Sequence, residues 1–167
     1  IKMDDATDDK ILLEMTSENP TLFDKRFELP LIDIDTEIMS IPVMEYQAEF
    51  SLPSNTFATL IDQLKLFGET LRIECCEERI QLFSESIDSG KMSVDIPIDD
   101  LISFEIEENE QLNISFALTY LHNICLYSKL AKNVDISMTT NYPIRIQYLL
   151  DDSDAKIVYY LAPKIDD

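Results

Sequence analysis

Glycine is nearly missing from this chain: two residues in 167, with no tryptophan and a single histidine, His122. So little glycine leaves no material for a phosphate-cradling loop, whose backbone N–H groups must reach the ligand without a Cβ in the way. Basic residues are also scarce, 13 against 33 acids, for a net charge of −20. That charge repels phosphate and excludes chain-wide adhesion to nucleic acid, so any contact with DNA has to come from a locally basic face. Cys75, Cys76 and Cys125 are odd in number and no secretory-type leader accompanies them in these residues, so free thiols in a reducing compartment are expected. No apolar run approaches the roughly 20 residues that span a bilayer, and no membrane role is expected. The first residue is Ile1 rather than methionine, and the expectation is a piece of a longer chain.

What is present is 46% hydrophobic, enough for one globular domain plus something extra. Residues 1–31 read as three short strands, clearest at Lys10–Met15 and Arg26–Leu31, on either side of the turn-like Ser17–Pro20. They bury too little apolar surface to stand alone and look like the edge of an incomplete domain. Residues 32–45 show no period around Pro42 and read as a linker, unusually apolar at Ile34, Ile38, Met39, Ile41 and Val43.

From Tyr46 the pattern turns regular. A strand to Leu52 leads into Pro53-Ser54, which starts a helix carrying Phe57, Leu60, Ile61 and Leu64 on one face, with Gly68 at its end. Strands follow at Thr70–Cys76, Ile80–Ser86 and Lys91–Ile96. After Asp99-Asp100 the pattern predicts a hairpin of Ile102–Ile106 and Leu112–Phe116, turning through residues 107–110. A second helix is expected over Thr119–Ala131 with Leu121, Ile124 and Cys125 inward, then strands at Val134–Thr140, Ile144–Leu150 and Lys156–Leu161. Strand, helix and three strands thus occur twice, a repeat of pattern rather than of residue identity. Short connections and antiparallel strands place both helices on one face of sheet, an α+β fold.

Signals for chemistry are weak. Asp151-Asp152-Ser153-Asp154 lacks the central glycine and distal glutamate of a calcium loop and reads as a hairpin turn. Cys75-Cys76 with His122 lacks metal-ligand spacing, and strand neighbours point to opposite faces. Asp99-Asp100 reads as a turn rather than an acid–base pair. No catalysis, metal or cofactor is expected.

The end of the chain is its most specific feature. Tyr159-Tyr160-Leu161-Ala162-Pro163-Lys164-Ile165 begins as a strand and becomes an extended tail that Pro163 keeps out of further pairing, with Leu161 and Ile165 sticky on either side. This segment, followed by acids, resembles the C-terminus of eukaryotic-type sliding DNA clamps, the proliferating cell nuclear antigen family. The resemblance extends over Phe27-Glu28-Leu29 and Leu31–Asp35, Ile41-Pro42 with Glu45-Tyr46, Pro53-Ser54, Phe57-Ala58 and Gly68, Phe116-Ala117-Leu118, Tyr120-Leu121 and Ser137-Met138. It implies a DNA-clamp fold, with two helices packed on a curved antiparallel sheet. By that likeness residues 1–31 are the last strands of an incomplete first domain, 32–45 an interdomain connector and 46–167 the second domain.

The likeness further implies a nuclear, ring-forming homotrimer that encircles duplex DNA without sequence specificity and is not an enzyme. A clamp loader, DNA polymerase and other replication and repair proteins carrying short clamp-binding peptides are its implied partners. The peptide pocket would comprise Met39, Ile41, Pro42, Tyr46, Tyr142, Pro143, Tyr160, Leu161 and Pro163, with Ala162 and Ile165 offering backbone pairing. Lys65, Lys129 and Lys132 would face DNA, although Thr59, Asp62, Thr119 and Leu126 stand where the family has basic side chains. Glu77 replaces a lysine that receives ubiquitin-like modifiers. Subunits would join through Lys25–Leu31, anchored by Phe27 and Leu29, onto the edge formed by Lys91, Met92 and Val94, both strands lacking an obvious partner within the chain. The rivals are a checkpoint-type clamp subunit with the same fold and an acidic DNA-mimic or protein-interaction domain, which would need its acids lined on one face.

Overall fold

Alternating apolar and polar residues decide where each strand lies. The computed structural model describes residues 10–16, 23–32, 44–150 and 155–165, and the chain divides into two units after Pro42. In the first unit β1 (Lys10–Met15) pairs antiparallel with β2 (Lys25–Pro30), Leu13 facing Phe27 and Ile11 facing Leu29. Exposed ion pairs join Lys10 to Glu28 at 3.4 Å and Arg26 to Glu14 at 3.0 Å, each worth under about 1 kcal/mol. The strand expected to lack a partner in the chain therefore has one in β1, because Ile11 and Leu13 give Phe27 and Leu29 apolar surface across the ladder. Only its other edge is open among the described residues.

The second unit runs β3 (Ala48–Pro53), α1 (Ser54–Leu64), β4 (Thr70–Cys76), β5 (Arg79–Ser86), β6 (Gly90–Pro97), β7 (Ser103–Ile106), β8 (Leu112–Ala117), α2 (Leu118–Cys125), β9 (Asn133–Met138), β10 (Ile144–Leu149) and β11 (Lys156–Leu161). Two antiparallel sheets form, ordered β11-β10-β9-β3-β7 and β6-β5-β4-β8. The two repeats exchange their first strands: β3, which leads into α1, pairs with β9 of the second repeat, and β8, which leads into α2, pairs with β4 of the first. The helix starts repeat the exchange. Ser54 N–H donates to the Lys132 carbonyl and Leu118 N–H to the Glu69 carbonyl, both at 2.9 Å, so each helix begins tied to the residue just before the other repeat's next strand. Each bond satisfies one N–H of a helix N-terminus that no side chain caps.

That exchange corrects the expected hairpin. β7 and β8 do not pair; β7 closes the free edge of β3, with Phe104 opposite Phe50, while β8 joins β4, with Phe116 opposite Leu71. Each strand thereby faces a buried apolar residue across its ladder, Phe50 for β7 and Leu71 for β8. The strand Lys91–Ile96 is likewise partnered, within β6 on β5, and its other side is a sheet edge. The second helix is shorter than expected: beyond Cys125 the chain tightens into a 3-10 turn at Ser128–Leu130, which sets Tyr127 against Tyr159 with ring centroids 6.2 Å apart. Gly68 has a packing reason, since a Cβ there would lie 2.6 Å from the Glu85 carbonyl oxygen. A left-handed turn instead falls to Gly90, at φ +79°.

The core lies between the helices and the inward faces of both sheets. Phe57, Ile61 and Leu64 of α1 and Leu118, Leu121 and Ile124 of α2 join Phe50, Leu71, Ile73, Ile80, Ile136, Ile146 and Tyr148 in one buried cluster. Burying each large side chain contributes about 1.5–3 kcal/mol. The helices pack on each other, and at their outer rim His122 Nδ1 lies 2.8 Å from Asp62 Oδ1.

Candidate functional site

β11 places consecutive tyrosines on opposite faces. Tyr159 turns inward against Tyr127 and, edge-on at 6.3 Å, against Tyr148. Tyr160 turns outward, directly across the ladder from Arg145, where the Tyr46 ring lies 5.9 Å from the Arg145 guanidinium. Burial and the neighbouring Tyr160 phenol raise the Tyr46 pKa, while Arg145 pulls it down. Tyr46 and Tyr160, far apart in sequence, therefore share one site.

After Leu161 the tail leaves the five-stranded sheet and runs to the edge of the other. Lys164 N–H donates to the Ser115 carbonyl of β8 and Lys164 Nζ to Thr70 Oγ1 of β4, both at 2.7 Å. A groove of about 520 Å³ opens between β8, the β9–β10 turn and Ala162–Ile165. Its turn wall is Thr140 and Asn141, the latter at φ 65°, with Gln47 Oε1 accepting from Thr140 N–H and Thr139 Oγ1 at 2.8 Å each. Tyr142 and Pro143 follow in the same turn but do not line that groove; Tyr142 is half exposed. The N–H groups of Ala162 and Ile165 have no partner among the described residues, and Ile165 is exposed. Met39, Ile41 and Pro42 lie outside the described residues. Arg145 and Lys164 were not singled out by sequence reasoning. The one sequence signal for Arg145 is a cation at an outward position of a strand whose alternate residues Ile144, Ile146 and Tyr148 are apolar.

Lys65, Lys129 and Lys132 are all exposed and flank the helix layer: Lys65 follows α1, Lys129 sits in the 3-10 turn, and Lys132 is tied to the start of α1. Residues 54–67 and 118–132, the helices with their following turns, contain these three lysines and a single acid, Asp62, of the chain's 33. The outward side of the five-stranded sheet differs, with Glu49 opposite Glu105 and with Asp135 reached by Gln147 at 3.3 Å. A second recess, about 410 Å³, lies between α2 and β11 and is walled by Tyr120, Leu126, Tyr127, Tyr159 and Tyr160.

The interface candidates are edge residues: Phe27 and Leu29 are partly exposed on β2, and Lys91, Met92 and Val94 lie on β6 with Met92 and Val94 half buried against the core. Lys91 Nζ also sits 4.5 Å from the Phe83 ring centroid. Glu77 has a structural task, accepting from Asn109 N–H at 2.7 Å and fixing the left-handed turn after β7. Cys75 and Cys125 are buried free thiols whose pKa burial pushes up to about 12, so neither is a ready nucleophile. Among the described residues no cluster could hold a metal, and residues 151–154 lie outside them.

Residues 40–164 match the family model described as "Proliferating cell nuclear antigen, C-terminal domain". The proliferating cell nuclear antigen of Chaetomium thermophilum is 34% identical over 172 residues, covering 100% of this chain. The chain spans 65% of that relative's length.

Proposed function

The chain belongs to the proliferating cell nuclear antigen family, and we propose that it is part of a nuclear sliding clamp: a ring-forming, non-catalytic subunit that encircles duplex DNA and tethers DNA polymerase and other replication and repair proteins. In this reading residues 1–31 close an incomplete first domain, 32–45 connect, and 46–167 form the second domain. The observation that carries it is charge segregation. A chain of net charge −20 keeps its helix layer to one acid beside three lysines, which gives DNA one tolerable surface and no reason to stick elsewhere.

Recruitment would use the outward site at Tyr46 and Tyr160 and the tail. Aromatic and apolar walls supply anchors, and the N–H groups of Ala162 and Ile165, without a partner among the described residues, supply pairing for an extended peptide. Met39, Ile41, Pro42, Tyr142, Pro143, Leu161 and Pro163 complete the proposed pocket. Lys65, Lys129 and Lys132 are the proposed DNA-facing residues, and β2 and β6 the proposed halves of a head-to-tail joint, which closes a ring only if the rotation allows.

Two or three anchors, less the cost of association, give affinities of roughly micromolar order. The test is fluorescence anisotropy with a labelled peptide containing a glutamine and two adjacent aromatics. Saturable binding that Tyr160→Ala weakens is expected; no saturable binding overturns the recruitment reading.

A further inference from the structure

We infer that Arg145 makes the Tyr46–Tyr160 site selective for partner peptides that carry a carboxylate beside their aromatic anchors, an inference that rests on the peptide-binding reading above. The placement follows from strand alternation. Ile144, Ile146 and Tyr148 are all buried, so Arg145 stands on the outward face of β10, between Ser137 of β9 and Tyr160 of β11. Its guanidinium lies 5.9 Å from the Tyr46 ring centroid. The same aromatic surface that would hold a peptide's anchors thus has a fixed cation at its margin.

Among the described residues no carboxylate pairs with the Arg145 cation. Nη1 donates to Ser137 Oγ at 3.4 Å and Nη2 to Gln147 Oε1, and the acids beyond are reached only through these neutral groups. Ser137 passes on to Glu49 at 3.1 Å, and Gln147 to Asp135 at 3.3 Å. A guanidinium has five N–H donors in a planar fork suited to a carboxylate, so donors remain for a ligand while Ser137, Gln147 and Tyr46 hold the plane.

The surroundings sharpen the selectivity. Glu49, Glu105 and Asp135 share this face and the whole chain carries −20, so an acidic peptide is repelled at almost every other placement. A peptide carboxylate beside Arg145 therefore fixes register as well as adding attraction.

The experiment uses two labelled peptides with a glutamine and two adjacent aromatics, alike except for aspartate or asparagine flanking the aromatic pair. Each flank is tried in turn against wild type, Arg145→Gln and Arg145→Lys. At low salt, wild type is expected to prefer the aspartate peptide at one flank by about twofold to fivefold, as for a partly exposed ion pair. The ratio should shrink as salt rises, fall to near one in Arg145→Gln, and survive in part in Arg145→Lys. Equal affinity for both peptides in wild type, or a preference that persists in Arg145→Gln, overturns the inference while the peptide-binding reading stands. Binding of neither peptide overturns both.

Discussion

Lys164 offers a graded test of how the tail is held. Its side chain and its backbone make separate 2.7 Å bonds, Nζ to Thr70 Oγ1 and N–H to the Ser115 carbonyl, and these tie the tail to the β4–β8 sheet. Lys164→Ala removes the first bond and Lys164→Pro removes both. A net hydrogen bond contributes about 0.5–1.5 kcal/mol, with the solvent-exposed lysine bond at the low end. If a partner peptide needs the ordered tail, apparent affinity falls with the fraction of molecules that have it. Lys164→Ala should then weaken a partner-type peptide about twofold to threefold and Lys164→Pro about tenfold, as two bonds lost in series. Melting temperature should barely move, because neither change touches the core. Peptide anisotropy together with 15N relaxation at the Ala162 and Ile165 amides reads both quantities. Greater tail mobility in Lys164→Pro with peptide affinity within about twofold of wild type would refute the reasoning, since the tail would then be loose without consequence.

The helix layer can be probed by charge reversal: Lys65, Lys129 and Lys132 all changed to Glu should abolish cross-linking to duplex DNA at low salt while far-UV circular dichroism stays unchanged, and retained cross-linking would remove these lysines from any DNA-facing role. Phe27→Asp places a carboxylate opposite Leu13 on the edge strand of the first unit; light scattering should show loss of self-association, whereas a monomer in wild type and variant alike rules out that joint. Cys75 and Cys125, held near 12 by burial against an ordinary value of 9.0, should resist a thiol reagent in the native state, leaving Cys76 as the thiol that reacts. Because both groups keep their protons longer in the folded protein, their contribution to stability is intact below about 9 and is lost as pH rises toward 12; chemical denaturation across that window should show the fall, and a flat profile would contradict it.

Periodicity made the local structure readable and left the pairing hidden. Phe57, Ile61 and Leu64 recur at helical spacing, and alternation marked β4, β5, β9, β10 and β11 within a residue or two. The hairpin of β7 and β8 failed because a short acidic turn between two apolar strands satisfies the local rule for pairing, while the true partners lie far back in the chain, Phe50 for Phe104 and Leu71 for Phe116. Such edges exist only once the repeats have exchanged strands, which no window of sequence displays. The end of α2 was overextended for a related reason: no glycine or proline interrupts residues 119–131, yet Leu126 and Leu130 are exposed and Tyr127 leaves the helix for Tyr159. Arg145 and Lys164 carry no motif, so their importance comes from what the sheets place across from them.

Strand exchange also explains how so acidic a chain can keep one face nearly free of acids. Each repeat sends its helix to the same side, because β3 and β8 enter α1 and α2 from the sheet that belongs to the other repeat, and the helix starts are locked by the paired bonds to Lys132 and Glu69. With both helices together, their outer surface is written by only two short stretches of sequence. Those stretches hold one of 33 acids, and that one, Asp62, is met by His122 across the helix pair. Acids on the far sheet faces lie across the core from this surface, and with a Debye length of about 8 Å at physiological salt their effect on it is largely screened. A phosphate near the helices would therefore respond mainly to Lys65, Lys129 and Lys132, while at longer range the net charge keeps that attraction from becoming tight binding. Under the proposed sliding-clamp function, short-range tolerance with long-range repulsion is the balance a subunit would need to surround DNA and still move along it.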